Sequence, residues 1–374
     1  MHLDRIDILR ALAIILVFLH HAQICLFPGY EVSTFTLDGT RAVLDARSAL
    51  LNFSPAAFGY TGVQLFLLIS GFLIHLGTLN GLKNGKAFAI GTFMSKRFWR
   101  IYPPYLLVLL FLCFAVQGSR YLIRPDKIHE LLSHALMAHN LNDATFGAIN
   151  PSFWSIALEV QLYLVYPVLL FARKRWGINA TFLGTVIMAV VTILLGRFAF
   201  TGMGLSYWTS VPAYWYIWCA GALLAERYHA KARLFPTRPG TIAAILFAGM
   251  WVSKYFVWSV VLTVPFAVFA WLAFFEWALY VPLSAKAQHS MVFKALSTVG
   301  LCSYSIYLIH QPYLRELLRY FGTYGPMPLA LLVKVTVVFA ILFFLSYALY
   351  LLVELPSIAY GARLRNKGAV KAHP

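Results

Sequence analysis

The apolar residues of this chain form long blocks rather than the narrow stripes typical of helices in soluble proteins. Residues 241–282, for example, contain only two charged side chains, Lys254 and Glu276. A run of roughly 17–25 mostly apolar residues is long enough to cross the hydrocarbon core of a bilayer. Only helices and closed barrels satisfy their backbone groups there, and the sequence lacks the alternating segments of a barrel. The pattern predicts an all-α, polytopic transmembrane helix bundle of about ten helices.

Composition supports a lipid environment for these runs. Of the 374 residues, 61% are hydrophobic and only 11% are charged, whereas soluble proteins carry about 25% charged residues. An even number of spans places both termini on the same side of the membrane. The ten spans are predicted at residues 6–27, 58–77, 101–117, 152–172, 177–197, 209–226, 240–257, 258–282, 295–318 and 327–354.

Basic residues gather in the loops on one side of this arrangement, which predicts that side, and both termini, to be cytoplasmic. The net charge of +17 is then mainly an orientation signal. Because this charge is dispersed over short loops, it argues against nucleic-acid binding. Residues 1–360 form the predicted transmembrane domain, and residues 361–374 form a basic cytoplasmic tail.

Two longer segments on the predicted outer side, residues 28–57 and 118–151, are each expected to hold a short interfacial helix or a lid. His134 and His139 lie in or beside the second segment and are expected at the surface or in that lid. The four cysteines have no paired ligand spacing, so the sequence predicts neither a disulfide framework nor a metal site.

Ionisable side chains inside the spans are costly in lipid, so each is a candidate functional residue. Arg10 and His21 are eleven residues apart, which is three turns plus about 20°; both therefore project from one face of the first helix, about 16 Å apart. Glu159 lies roughly 10 Å below the outer edge of the fourth span, and His310 about fourteen residues along the ninth. We expect Arg10 at the cytoplasmic mouth and the other three groups at one shared depth.

Three of these residues also have an interpretation without chemistry. Arg10 alone is compatible with a side chain that reaches out to lipid head groups, and His21 with a simple bond to a neighbouring carbonyl. His310 is compatible with a structural network of the hydroxyl groups on its helix. Arg97 and Arg100, three residues apart on one helical face, suit either lipid phosphates or a phosphorylated cytoplasmic ligand.

Six short motifs occur in a fixed order along the chain. The first, IDILRALAIILVFLHHA, holds an arginine and, eleven residues later, a histidine. Together the six resemble the motifs of the acyltransferase-3 family of membrane acyltransferases, over nearly the whole chain. The other five are GYTGVQLFLLISGFLI (59–74), KRFWRIYPPY (96–105), SFWSIALEVQLYLVYP (152–167), LCSYSIYLIHQP (301–312) and ELP (354–356).

The resemblance implies transfer of an acyl group, usually acetyl from cytoplasmic acetyl-CoA, to a hydroxyl of a carbohydrate or lipid-linked glycan at the outer face. It places the protein in the inner membrane of a bacterium, with no permanently bound cofactor. The family's fused extracellular hydrolase-like domain is not recognised here, so a separate periplasmic partner is one expectation. By motif position, His21, Glu159 and Arg10 are the expected catalytic residues, Arg97, Arg100, Ser155 and Trp154 the expected donor-binding residues, and His310, Tyr163 and Tyr304 secondary candidates.

Two other classes of protein remain open from the residues themselves. A secondary transporter with a proton-linked His–Glu pair also needs ionisable groups in the membrane, but the sequence shows no internal repeat of the inverted-half kind. A polysaccharide polymerase or ligase is the second alternative, and the large outer loop usual in those enzymes is not evident in this sequence.

Overall fold

We describe the protein from a computed structural model, in residues 4–27, 51, 54–116, 124–200, 202–253, 259–321 and 327–371. Every regular element in these ranges is a helix, which confirms the predicted all-α class. The helices are α1 (Asp4–Leu26), α2 (Gly62–Lys83), α3 (Ile90–Leu110), α4 (Pro125–Ala135), α5 (Asp143–Phe146), α6 (Phe153–Leu194), α7 (Leu205–Trp208), α8 (Val211–His229), α9 (Pro239–Ser253), α10 (Ser259–Tyr280), α11 (Ala285–His289), α12 (Met291–Leu301), α13 (Ser303–Tyr320), α14 (Met327–Leu349) and α15 (Leu355–Lys371).

Fewer helices meet the length and apolarity of a membrane span than the ten predicted. Six do so within the described ranges, or seven if the bent pair α12–α13 is one span. Of the other predicted spans, residues 240–257 correspond to the shorter apolar helix α9 (Pro239–Ser253). The protein therefore has the character of a multi-pass membrane protein, while the count of ten and the side of the termini stay predictions.

The fourth and fifth predicted spans follow each other directly in α6, as two helices that meet at a kink with no loop between them. Its 42 residues would extend about 63 Å as a straight helix, roughly twice the hydrocarbon core. Gly177 interrupts the element, with φ 81° and ψ 163°. Residues other than glycine rarely adopt a positive φ. The glycine therefore supplies the break that the sequence predicts between residues 172 and 177.

The ninth predicted span, residues 295–318, is not a straight helix. The structure bends by 74° between α12 and α13, at Cys302, which has a non-helical conformation with φ −93° and ψ 12°. Apolarity along the chain gives no sign of this bend, because both arms are apolar enough to belong to one span.

The chain divides into two compact units that interleave in sequence. The first comprises residues 1–79, 217–303 and 313–339, and the second residues 80–216, 304–312 and 340–374. This division rests on packing. The predicted boundary at residue 360 rests on the basic composition of the tail, and it stays a prediction.

In the first unit, glycines let helices approach at backbone distance. A Cβ atom on Gly71 of α2 would lie 2.0 Å from the carbonyl oxygen of Trp218 on α8, and one on Gly221 of α8 would lie 2.1 Å from that of Leu68. Small residues at such crossings are the usual means of helix association in lipid.

Two charged side chains of the first unit, one half-buried and one fully buried, bind backbone groups. Arg5 donates from Nη1 to the carbonyl oxygens of Ala278 and Leu279, at 3.0 and 2.8 Å, in the last turn of α10. Glu276, fully buried on α10, accepts the backbone N–H groups of Leu234 and Phe235, at 2.5 and 2.8 Å. Both satisfy backbone groups that have no partner inside a helix, so Glu276 is an intramembrane charge with a structural role.

In the second unit, α15 packs against the middle of α3. Ser357 donates to the carbonyl oxygen of Trp99, and a Cβ on Gly361 would lie 2.4 Å from the Trp99 ring. This packing fixes the turn of α3 that carries Arg97 and Arg100.

Candidate functional site

Helices α3 and α6 bring three motif residues of the second unit into one chain of contacts. The guanidinium carbon of Arg97 lies 5.8 Å from the ring centre of Phe93 and 5.9 Å from that of Tyr163. The Tyr163 hydroxyl donates to Glu159 Oε1 at 2.5 Å. Tyr163 and Glu159 are four residues apart and therefore share one face of α6. The sequence placed Arg97 near the cytoplasmic end and Glu159 near the outer end; Tyr163 links them.

Arg97 retains donor capacity within this arrangement. Its Nε atom is buried and has no hydrogen-bond acceptor among the described residues. The two aromatic rings attract the cation through their faces and leave the Nε–H group without an oxygen acceptor among the described residues. A guanidinium in this state is suited to an anionic ligand, because its planar donors match phosphate and carboxylate oxygens.

The first turn of α6 meets α13 through a row of polar side chains. Asn150 donates to the carbonyl oxygen of Leu308 at 3.1 Å, and Ser152 bonds Gln311. The hydroxyl groups of Ser155 and Tyr307 are 2.6 Å apart. Ser155, expected at the acyl donor, therefore already shares a hydrogen bond with a tyrosine, so any contact it makes with a thioester carbonyl would involve Tyr307 as well.

Trp154 lies in an aromatic cluster on the same turn. The ring of Phe146 stacks at 5.9 Å with an interplanar angle of 18°, and the ring of Tyr214 meets it edge-on at 5.9 Å. Trp154 is half-buried. These contacts fix the orientation of the indole.

The late motif mainly joins helices. His310 is fully buried and its Nδ1 lies 2.9 Å from the carbonyl oxygen of Tyr307 on its own helix. Tyr304 donates to the carbonyl oxygen of Ile101 on α3 at 2.8 Å. Ser305 donates at 2.7 Å to Glu354, a buried carboxylate. These contacts favour the structural interpretation of Tyr304, and the chemical roles of both secondary candidates stay predictions.

The catalytic candidates on α1 lie in the first unit. Arg10 Nη1 is 3.7 Å from Asp7 Oδ1, one turn earlier, so the arginine has an acidic neighbour that the sequence reasoning missed. His20 Nδ1 lies 3.0 Å from the carbonyl oxygen of Ala56, which gives this ring a structural position. The adjacent ring of His21 is 5.6 Å from that of His20. Since Glu159 belongs to the other unit, the expected meeting of His21 and Glu159 stays a prediction.

The sequence suggested that His134 and His139 lie at the surface, but the structure shows otherwise. Both are fully buried in the second unit, and their rings stack at 3.9 Å with an interplanar angle of 4°. His134 Nδ1 lies 2.7 Å from the carbonyl oxygen of Glu130. Burial lowers the pKa of His134 to about 4 and that of His139 to about 3, so both imidazoles are neutral. The predicted short helix of this outer segment is present as α4, whereas residues 28–50 of the other outer segment lie outside the described residues.

Comparison with known proteins identifies the family. The peptidoglycan O-acetyltransferase OatA of Listeria monocytogenes is 27% identical over 172 residues, which are 41% of this chain and 27% of OatA. The putative peptidoglycan O-acetyltransferase YrhL of Bacillus subtilis is 32% identical over 163 residues, 40% of this chain and 24% of YrhL. Protein 2 in the picA locus of Rhizobium radiobacter is 30% identical over 152 residues, 37% of this chain and 77% of that protein.

The matches to OatA and YrhL thus cover about a quarter of those two proteins, and no solved structure matches the chain. The profile of the acyltransferase-3 family, described as an acyltransferase domain, matches residues 3–351. Because that match covers most of the chain and includes His21, Arg97, Glu159 and His310, this protein belongs to the acyltransferase-3 family.

Proposed function

We propose that the protein is a membrane-embedded O-acyltransferase that moves an acyl group, most simply acetyl, from cytoplasmic acyl-CoA to a hydroxyl of a cell-surface or exported carbohydrate. The bacterial relatives named as peptidoglycan O-acetyltransferases support a surface polysaccharide as the acceptor and a bacterial cytoplasmic membrane as the location. The observation that carries the proposal is the contact chain Arg97–Tyr163–Glu159, in which an arginine with an unused N–H is linked to a carboxylate inside the bundle.

At the donor end, Arg97 and Arg100 hold the phosphates of acyl-CoA, and Arg10 contributes positive charge at the predicted mouth. Both arginines of α3 are half-buried, which leaves part of each side chain accessible. A guanidinium within a low-dielectric surrounding binds phosphate more strongly than one in water. The pantetheine arm then carries the acyl group toward Ser155 and Trp154, whose orientations are fixed by Tyr307 and by the aromatic cluster.

At the acceptor end, His21 removes the proton of the attacking hydroxyl as a general base. Glu159 orients the imidazole and stabilises its protonated form, as the carboxylate of a hydrolytic triad does. Tyr163 holds this carboxylate in one position through its 2.5 Å hydrogen bond. The attacking oxygen forms the new ester, and the C–S bond of the thioester breaks.

Membranes that contain the protein, incubated with radiolabelled acetyl-CoA, test this proposal. We expect label on the extracted glycans with the wild type and loss of that label with His21→Ala. The matched control is His20→Gln, which replaces the neighbouring histidine that contacts the Ala56 carbonyl, and it should retain the label. A normally expressed His21→Ala variant that labels glycans as the wild type does would remove the proposed chemistry. A wild type that transfers no label would favour a transporter.

A further inference from the structure

Arg365 on α15 is a second arginine with unused donor capacity, and the roles given above do not include it. Its Nη1 atom is buried and has no hydrogen-bond acceptor in the part of the chain that the structure describes, while the side chain as a whole is half-buried. Within that same part, the only other guanidinium nitrogen that is buried without an acceptor is Nε of Arg97. Because a buried donor without an acceptor is costly, both positions favour an anionic ligand.

The contacts of α15 set the direction in which it passes α3. Ser357 donates to the carbonyl oxygen of Trp99, which points toward the C-terminal end of α3, whereas Gly361 lies against the Trp99 ring. Side chains in a helix lean toward its N-terminal end, so residue numbers rise along α15 as they fall along α3. Arg365 follows Gly361 by one turn, on the same face, and therefore lies level with the first turns of α3.

The guanidinium of Arg97 also reaches back toward these turns. Its carbon lies 5.8 Å from the ring centre of Phe93, one turn earlier on α3. Arg100 is about 60° from Arg97 round the helix and about 100° from Trp99, the residue that α15 covers. Arg97, Arg100 and Arg365 therefore follow one another round the beginning of α3, with Arg100 in the middle.

This group of three arginines has no acidic side chain on its own two helices to neutralise it. Neither α3 nor α15 contains an Asp or a Glu. Glu354, just before α15, accepts the hydroxyl of Ser305 at 2.7 Å. Guanidinium groups gathered without acids suit a ligand that carries several phosphates, because their planar donors match phosphate oxygens.

The proposed donor carries phosphate at two places. CoA has a diphosphate between its pantetheine arm and its ribose, and a separate phosphate monoester on the 3′ oxygen of that ribose. Arg97 contacts Tyr163, which binds Glu159, so Arg97 lies on the side of α3 toward which the pantetheine arm is proposed to extend. Arg365 lies beyond Arg100 on the other side. The order of the arginines thus matches the order of the phosphates, with the 3′-phosphate furthest from the acyl group.

We propose that Arg365 binds the ribose 3′-phosphate of the acyl donor and makes the protein specific for CoA over donors that lack this group. Arg97 and Arg100 then hold the diphosphate. The inference rests on the proposed function and adds a specificity-determining residue to it. A lipid head group also offers a phosphate to a basic side chain at a membrane surface, and the test distinguishes these two sources.

The test is equilibrium binding of CoA and of 3′-dephospho-CoA to the purified protein in phosphatidylcholine nanodiscs. We expect the wild type to bind CoA about 10- to 100-fold more tightly than 3′-dephospho-CoA, the range for a hydrogen bond to a charged group. Arg365→Gln should lose this preference and should bind 3′-dephospho-CoA as tightly as the wild type does. The matched control is Arg363→Gln, because Arg363 is exposed and points about 160° away from Arg365 on α15; it should keep the preference.

The outcomes separate this inference from the proposed function. A wild type that binds neither coenzyme overturns both. A wild type that binds the two equally overturns only the inference, and so does an Arg365→Gln protein that loses affinity for both by the same factor, as a lipid-bound Arg365 would predict. An equal loss of preference in Arg363→Gln indicates a general effect of positive charge and also overturns it. Arg365→Met, which keeps the apolar stem, serves if Arg365→Gln does not fold; if neither variant folds, Arg365 is a packing residue and the proposal is wrong.

Discussion

The hydroxyl of Tyr163 provides the sharpest test of the proposed site, because a single oxygen atom can be removed there. Tyr163→Phe deletes the 2.5 Å hydrogen bond to Glu159 Oε1. It keeps the aromatic ring that lies 5.9 Å from the guanidinium carbon of Arg97. The substitution therefore removes the bond to the carboxylate while the aromatic ring stays beside the arginine.

The expected loss follows from the kind of bond removed. Short O–H···O⁻ bonds are among the stronger hydrogen bonds in proteins, and bonds to charged groups contribute about 1.5–3 kcal/mol. If Glu159 stabilises the protonated base in the transition state, the lost bond lowers kcat/KM by roughly 10- to 150-fold. Most of the loss should be in kcat, since the bond positions a reacting group and does not hold the donor.

Acetyl transfer to glycans should be measured in membranes at several acetyl-CoA concentrations, beside thermal unfolding of the detergent-solubilised variant. Tyr102→Phe is the matched control on α3: its hydroxyl bonds the Ala135 carbonyl at 3.1 Å, away from Glu159. A folded Tyr163→Phe protein with kcat/KM within twofold of the wild type, alongside an inactive Glu159→Gln, would refute the reasoning about Tyr163.

Three further predictions concern packing and pH. Gly71→Ala should lower the free energy of unfolding by about 3 kcal/mol, because the new Cβ would lie 2.0 Å from a carbonyl oxygen. Gly77→Ala is the control and should be neutral, because there is open space around Gly77. Thermal unfolding in detergent compares the two variants. Glu276→Ala should cost about 3 kcal/mol of stability by freeing two N–H groups, and a loss of acetyl transfer per folded molecule would contradict its structural role. Burial holds the pKa of His134 at about 4 and that of His139 at about 3, below the unfolded value near 6.5. The stability of this segment is therefore full above pH 6.5 and falls as the pH drops toward 4. Hydrogen exchange of α4 should accelerate at pH 5, and it should accelerate less in His139→Phe.

Some outcomes show how far motif spacing reaches. Glu159 and Tyr163 are four residues apart and therefore share one helical face, and the structure shows a direct bond between them. Arg97 is the contrasting case, since the sequence assigned it to a cytoplasmic anchor or ligand site at the opposite end from Glu159. The depth of a residue gives only its position along the axis of its own helix. It does not show that an arginine on one helix contacts a tyrosine on another.

The sequence missed other residues for a related reason. The sequence did not predict that Asp7 lies beside Arg10 or that His75 lies beside Glu226. Each charged residue was considered by itself, without its partner. His134 and His139 were assigned to the surface or a lid because they lie in or beside an outer segment, yet both side chains are fully buried. The 74° bend at Cys302 had no glycine or proline at the break to announce it.

The sequence by itself determined the helical class, the membrane character, the approximate positions of most spans and the family, because each depends on apolar length or on the order of short motifs. Only the tertiary structure decided which helical faces meet, and hence which polar groups are partners. A residue's position along a helix follows from a fixed rise per residue, whereas contact between helices depends on side-chain volumes and glycine crossings. Those are properties of pairs of segments far apart in the chain.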